Sequence, residues 1–192
     1  MGSSQEEKAR SHERIVKQAA ARFRECGVDG IGVADLMKEA GLSHGGFYRH
    51  FQSRDELVAE AVEHALADGG ERMANVGGPD RPLTLGMLID AYLSPAHRDH
   101  LAASCAVATM AADVARSGDR AQAAYSEQVE AYLRLLTDLV SGPNKKAKRA
   151  RAITALAALV GAVSMARAVK DEKLSREILA SAGQELAALL RT

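Results

Sequence analysis

Tryptophan is absent from this 192-residue chain, and the other aromatics amount to three Phe and four Tyr. So sparse a set excludes a large aromatic cage. Two cysteines, Cys26 and Cys105, are too few for a disulfide scaffold or a cysteine-rich zinc site, and they make a reducing compartment the default. Net charge of either sign is missing as well, since Lys+Arg and Asp+Glu each number 25. Coating nucleic acid by bulk charge is therefore excluded, and any such contact must come from a local patch. The opening run MGSSQEEKARSHE has no apolar core of the kind a secretory signal needs. Alternating Val/Ile/Thr runs, Asn-Gly turns and internal repeats are lacking, which removes the signatures of strands and hairpins. No convergent nucleophile, base and acid, no Gly-rich phosphate loop and no His-Glu-x-x-His occurs. Neither an enzyme, nor a metal site, nor a cofactor is expected.

What is present is apolar, helix-forming sequence: 47% of residues are hydrophobic, ample for a core. The spacing predicts a first helix over about 11–26, capped by Ser11, striped by Ile15, Ala19, Ala20 and Phe23, and stopped at Gly27. Short helices follow over 33–40 and 44–51, separated by Gly41, with Ser43 placed to cap the second. A fourth starts at Ser53, where Ser53 and Glu56 form a capping-box pair, and runs to about Leu66. The Gly- and Pro-rich stretch 68–82 reads as a connecting loop, dividing the chain into domains 1–67 and 68–192. Longer helices are expected over 83–94, 101–116, 119–140, 146–170 and 173–190. The apolar run 152–169 is dominated by weakly hydrophobic Ala and contains Arg167, so it reads as a buried helix rather than a membrane span. The expectation is a soluble, cytoplasmic, all-α protein.

Residues 33–51, VADLMKEAGLSHGGFYRHF, are the informative stretch. Two short helices meet at a glycine turn, and neither is long enough to be stable alone. Packed on the first helix, they make a helix-turn-helix, whose second helix is offered to the DNA major groove. Gly41 supplies the positive φ of the turn. Gly45 and Gly46 cost the second helix roughly 1 kcal/mol each. Bare backbone there permits close approach to DNA, and Tyr48 and Arg49 can reach phosphate or base edges. The alternative is that Gly45-Gly46 marks a loop and Tyr48 is a half-buried aromatic.

Phe23, Gly27, Val33, Ala40-Gly41-Leu42-Ser43, Gly45, Phe47-Tyr48, His50-Phe51, Ser53 and Leu57 resemble the N-terminal signature of the TetR (tetracycline-repressor-like) family of bacterial transcriptional regulators. The resemblance covers about residues 11–66, with many positions in fixed register. It implies an all-α homodimer: an N-terminal three-helix helix-turn-helix domain plus a C-terminal helical ligand-binding and dimerisation domain. It further implies a repressor that leaves a palindromic double-stranded DNA operator when a small molecule binds. Carried over by position, Ser43, His44, Gly45, Gly46, Tyr48, Arg49, His50 and Arg54 would contact DNA. Tyr48, His50 and Arg54 fall at phosphate-touching positions. Gly46 departs from the Thr usual there, and Met37 stands where a small residue is common.

The C-terminal part invites an effector pocket and a subunit interface. Met side chains adapt to irregular shapes, and Met87, Tyr92, Cys105, Met110 and Tyr125 are the candidate lining for a small, mostly apolar effector. Ile153, Leu156, Ala157, Val160, Gly161 and Ser164 follow a helical stripe, and Ile178, Ala182 and Leu186 make a second one. Two such helices from each copy would form a four-helix dimer interface; the alternative is an internal hairpin. Cys105, close to His97, Arg98 and His100, carries a second functional reading as a thiol sensor of oxidants or electrophiles.

Overall fold

The structure is a computed structural model that describes residues 5–79 and 81–189. Helix α1 spans Gln5–Cys26 and buries Ile15, Val16, Ala19, Ala20 and Phe23. It begins six residues before the expected cap at Ser11, because the polar run ahead of that serine continues the same helix. Helix α2 is Val33–Glu39. Gly41 follows it at φ +72°, in the left-handed region, as the turn requires. Residues His44–Arg49 then form a 3-10 helix rather than an α-helix. The two glycines at its start weaken α-helical propensity, and Ser43, at the cap position, makes no side-chain capping bond.

Helix α3 spans Arg54–Ala74 and is capped by Ser53, whose Oγ accepts from the Glu56 amide at 3.1 Å. The Glu56 carboxylate reaches one residue further back than a capping box requires and accepts from the Gln52 amide. The helix continues straight through Gly69 and Gly70, so the expected domain limit at 67/68 falls inside it. These glycines serve a helix crossing and not a loop. A Cβ on Gly69 would stand 3.3 Å from the Tyr132 hydroxyl, and one on Gly70 would stand 2.9 Å from the Gln128 amide. Helix α8 (Asp119–Leu139), which carries both neighbours, thereby lies close against α3.

Between them the chain forms α4 (Leu85–Tyr92), α5 (Pro95–Asp99), α6 (Ala106–Thr109) and α7 (Ala111–Val114). The single helix expected over 101–116 is thus broken. The Cys105 amide, which a continuous helix would use internally, instead donates to His97 Nε2 at 3.1 Å. Helices α9 (Lys145–Ala168) and α10 (Glu172–Leu189) complete the fold. By length and composition α9 could cross a membrane. One side of it is packed within the molecule through Ala155, Leu156, Leu159, Ala162, Val163 and Ala166. No strand occurs among the described residues.

One continuous apolar core runs through both ends of the molecule. Polar links reinforce it at the crossing of α1 and α3. Arg24 of α1 is 5% exposed, and its guanidinium donates twice to the Asp68 carboxylate of α3, at 3.0 and 2.9 Å. The same guanidinium donates to the Ser104 carbonyl at 3.3 Å. Asp68 also accepts from Arg72, which in turn donates to the Ala103 carbonyl.

Candidate nucleic-acid interface and a buried cavity

The segment 43–51 splits cleanly into an inner and an outer side. Phe47 and Phe51 are buried and lie against each other, with ring centroids 5.4 Å apart; Phe51 also stacks on His12 at 4.6 Å. These contacts fix the segment on α1 and α2. Ser43, His44, Gly45, Tyr48 and Arg49 are exposed, and Tyr48 is 76% exposed. A tyrosine left so far in solvent gains nothing from burial within the subunit, so the half-buried alternative does not describe it. Gly46 is partly covered: a Cβ there would meet the Met37 methyl at 3.6 Å. The large Met37, fully buried, therefore packs where position 46 carries no side chain.

Two of the expected contact residues differ from their neighbours. His50 is half-buried, lies 5.9 Å from the His12 ring, and has a buried Nδ1 with no partner among the described residues. Burial, then the positive charges of His12, Lys8 and Arg49, lower its pKa. Arg54 is partly exposed. It donates to the exposed Asp29 at 3.0 Å and to the Val28 carbonyl. This pairing was not expected. The sequence carries no signal for it, since Asp29 stands 25 residues away.

A cavity of about 110 Å³ lies between α3, α4, α8 and the 97–105 segment. Gly69, Arg72, Met73, Val76, Leu88, Ala91, Tyr92, His97, Ala103, Cys105 and Tyr132 line it. Of the five expected lining residues, Tyr92 and Cys105 are there. Met110 is fully buried in the core instead. Met87 lies on α4 but outside the lining, and Tyr125 spends its hydroxyl on the Val107 carbonyl at 2.9 Å. His97, Arg72 and Gly69 were not legible as lining residues, because only the tertiary fold brings them together.

Hydrogen bonding defines the chemistry of the cavity floor. His97 Nδ1 donates to the Tyr92 carbonyl at 2.6 Å, since a carbonyl can only accept. Its Nε2 must then be the acceptor for the Cys105 amide and the Ser104 hydroxyl, the latter at 2.9 Å. His97 is thus neutral, in keeping with a pKa lowered chiefly by burial. The Cys105 thiol donates to the Tyr132 hydroxyl at 3.8 Å. The Tyr92 hydroxyl is buried beside the Cys105 thiol. Burial raises the pKa of both tyrosines, so each is a neutral phenol. Arg167 stands behind this group and donates to the carbonyls of His97 and Arg98 and to the Ser104 hydroxyl.

The outer sides of α9 and α10 form a second exposed feature. The large hydrophobics most exposed among the described residues are Tyr48, Ile153, Met165 and Leu174, and the last three lie on these two helices. Ala157 is exposed beside them, and Val160, Gly161, Ser164, Ile178 and Ala182 are half-buried. Leu156 and Leu186 are buried in the subunit's own core, which corrects their place in the expected interface. Met165 and Leu174 take the outer positions that the sequence stripe did not assign to them.

The family described as bacterial regulatory proteins, tetR family, matches residues 15–61, the segment from α1 to the first turns of α3. The HTH-type transcriptional regulator YerO of Bacillus subtilis is 31% identical over 64 residues, which cover 33% of this chain and 22% of YerO. The alignment therefore spans only about a fifth of that relative. Over nearly the whole chain, the structure resembles a TetR transcriptional regulator from Chloroflexus aurantiacus, with a TM-score of 0.80 and 25% identity, covering 97% of each. The reduced form of NemR from E. coli shares the fold with a TM-score of 0.74 at 16% identity, covering 92% of this chain and 95% of that one. Residues 15–61 thus carry the N-terminal module of the tetR family of bacterial regulatory proteins, joined to an all-helical body built like that of a TetR transcriptional regulator.

Proposed function

We propose that the protein is a ligand-responsive transcriptional repressor. It binds a palindromic double-stranded DNA operator as a homodimer in the cytoplasm, and a small, mostly apolar effector releases it. The observation that carries this reading is the exposed Tyr48, flanked by exposed Ser43, His44, Gly45 and Arg49 on a segment pinned from behind by Phe47 and Phe51. Tyr48 and Arg49 supply donors for phosphate, and Arg49 can also address guanine. Gly45 lets the backbone come close. His50 supports the segment from its inner edge, and Arg54, partly exposed beside it, holds the 28–29 turn to the start of α3. The reading calls for no catalytic step.

Dimerisation through α9 and α10 would cover Ile153, Met165 and Leu174 and set the distance between the two recognition segments. Operator half-sites lie about 34 Å apart, one turn of the duplex. An effector releases DNA only by favouring a subunit arrangement with a different spacing. Helix α3 offers the route. Its first turn borders the recognition segment, and Gly69, Arg72 and Met73 near its end line the cavity. Arg24 adds a second route, joining α1 to the Ser104 carbonyl beside Cys105.

Selection from random duplexes at two salt concentrations tests the reading, with Tyr48→Ala beside the wild type. A palindrome recovered by the wild type, with binding weakened at least tenfold in the variant and falling with salt, is the expected result. Absence of salt-sensitive sequence preference, or an unaffected variant, would sink it. A second reading, a thiol sensor at Cys105, draws on that thiol lining the cavity. A Cys105→Ser protein that still responds to oxidant removes this reading and leaves the first intact.

A further inference from the structure

We propose that Lys8, on the stretch of α1 that overruns the recognition segment, binds a backbone phosphate of duplex DNA next to those met by Tyr48 and Arg49, making α1 a second arm of the interface. The inference rests on the regulator reading above and extends it to a residue outside the helix-turn-helix.

Helix α1 begins at Gln5, and its first turns bury nothing: every residue from Gln5 to Arg10 is exposed. Those turns nevertheless point in a definite direction. An α-helix brings positions four and seven residues apart onto one line. From Lys8 that line runs through His12 and Ile15. Ile15 is fully buried in the core. His12 stacks on Phe51 at 4.6 Å and stands 5.9 Å from the His50 ring. The face bearing Lys8 is therefore the one that α1 turns toward the 43–51 segment. Lys8 lies one turn further out, about 5.4 Å beyond His12 along the axis, where that segment no longer covers it. The electrostatics agree. After burial, it is His12, Lys8 and Arg49 that lower the His50 pKa, so the charge of the lysine is felt at the segment itself.

The surroundings leave that charge available. Arg22, Arg24 and Arg54 of the same module are each paired with a carboxylate. Among the described residues, Lys8 forms no ion pair or hydrogen bond. Glu60 of α3, which meets the same line of α1, is engaged by His12 at 2.6 Å. Of the two acids at the start of α1, Glu7 stands about 100° around the helix from Lys8 and Glu6 about 160°. Lys8, Arg49 and His50 thus gather beside exposed Tyr48 in a chain whose total charge is zero. A local cluster of one sign that the chain does not match suits a polyanion, and a duplex carries one charge per about 1.7 Å of its axis. Lysine is a flexible point charge that meets phosphate without demanding a fixed geometry and without reading a base.

The test measures binding of the full-length protein to two duplexes, the palindrome recovered by selection and a shuffled sequence of the same length, over a range of salt concentrations. Lys8→Gln is compared with Lys8→Arg, which keeps the charge. It is also compared with Lys17→Gln, which removes an equal charge from an exposed lysine about 180° around the same helix. Circular dichroism first shows that each variant keeps the wild-type helix content and melting curve. A dimer that loses two phosphate contacts should show a salt slope shallower by about 1.8. At low salt Lys8→Gln should bind both duplexes roughly tenfold more weakly, with the preference for the palindrome unchanged. Lys8→Arg and Lys17→Gln should keep the wild-type slope. An unaltered slope in Lys8→Gln, an equal loss in Lys17→Gln, or a loss confined to the palindrome overturns the proposal. Those outcomes leave the regulator reading standing, because the wild type still binds and Tyr48→Ala is still weakened. A wild type without salt-sensitive sequence preference sinks both.

Discussion

Replacing Asp68 by Asn is expected to destabilise the protein by about 3 kcal/mol. The carboxylate neutralises Arg24, whose side chain is only 4% exposed, through two bonds at 3.0 and 2.9 Å. Asparagine keeps the shape and removes the charge. Arg24 then keeps the Ala20 and Ser104 carbonyls, at 3.2 and 3.3 Å, and no anion. Breaking a buried pair from one side costs about 3–5 kcal/mol. The two carbonyls, and the 26% exposure of Asp68, place this case at the lower end. The bond to exposed Arg72 adds little, since surface pairs four residues apart contribute about 0.3–0.5 kcal/mol. In a chain of this length, about 2–4 °C of melting temperature accompanies each kcal/mol. The expected loss is therefore about 6–12 °C. Urea titration should show a lowered midpoint with an unchanged slope. The double variant Arg24→Met/Asp68→Leu removes both charges and should recover most of the loss, because apolar replacement of a whole buried pair is often neutral. A single variant that loses less than 1 kcal/mol, or a double variant no more stable than the single, would refute the claim that this pair ties α1 to α3.

Tyr92→Phe removes a buried hydroxyl whose neighbour is the Cys105 thiol, a weak hydrogen-bonding group, so little bonding offsets a burial cost of about 1–3 kcal/mol. It should melt at or near the wild-type temperature; a loss beyond about 1 kcal/mol would show that the hydroxyl has a strong partner. Acid should weaken the fold through His97, whose pKa burial holds below the unfolded value of 6.5. The unfolded chain binds more protons between the lowered value and 6.5, so stability is complete above 6.5 and falls as pH drops through that window. Melting curves across this range should be flatter in His97→Gln, with a residual slope of the same sign from His50. Ile153→Glu places a charge on the exposed face of α9. Sedimentation should show it as a monomer at concentrations where the wild type is a dimer, with its helix content intact.

Features written in short-range chemistry were legible from the sequence alone. The Ser53–Glu56 pair caps α3, Gly41 takes a positive φ, and the breaks before α8, α9 and α10 fall where Gly, Pro or charged residues interrupt the apolar stripes. What failed depended on partners distant in sequence. Gly69-Gly70 has the composition of a loop and serves instead as the contact between α3 and α8. Residues 101–116 have the composition of a helix, and it is the His97 side chain that diverts the Cys105 amide and breaks it. The two sides of the 44–51 segment were legible by pattern, since Phe47 falls on the inward face and Tyr48 then faces out. The Arg54–Asp29 pair was not found, because it depends on where the 28–29 turn comes to rest. Among the methionines, composition cannot separate Met73 in the cavity wall, Met110 in the core and Met165 in solvent; only their angular positions on finished helices do so.

The crossing of α3 over α8 has a mechanical consequence. Helices usually interlock like gear teeth, side chain into groove, and such a joint resists sliding. At Gly69 and Gly70, α3 has no teeth. It bears instead on the Tyr132 hydroxyl and the pliable end of Gln128. The joint is a plain bearing: it lets the two backbones lie close, and what fixes α3 along its axis is polar, the Arg24–Asp68 pair on one side and the Arg120–Glu63 pair on the other. A single methyl group at position 70 would run into the Gln128 amide and push that side chain out of the seam.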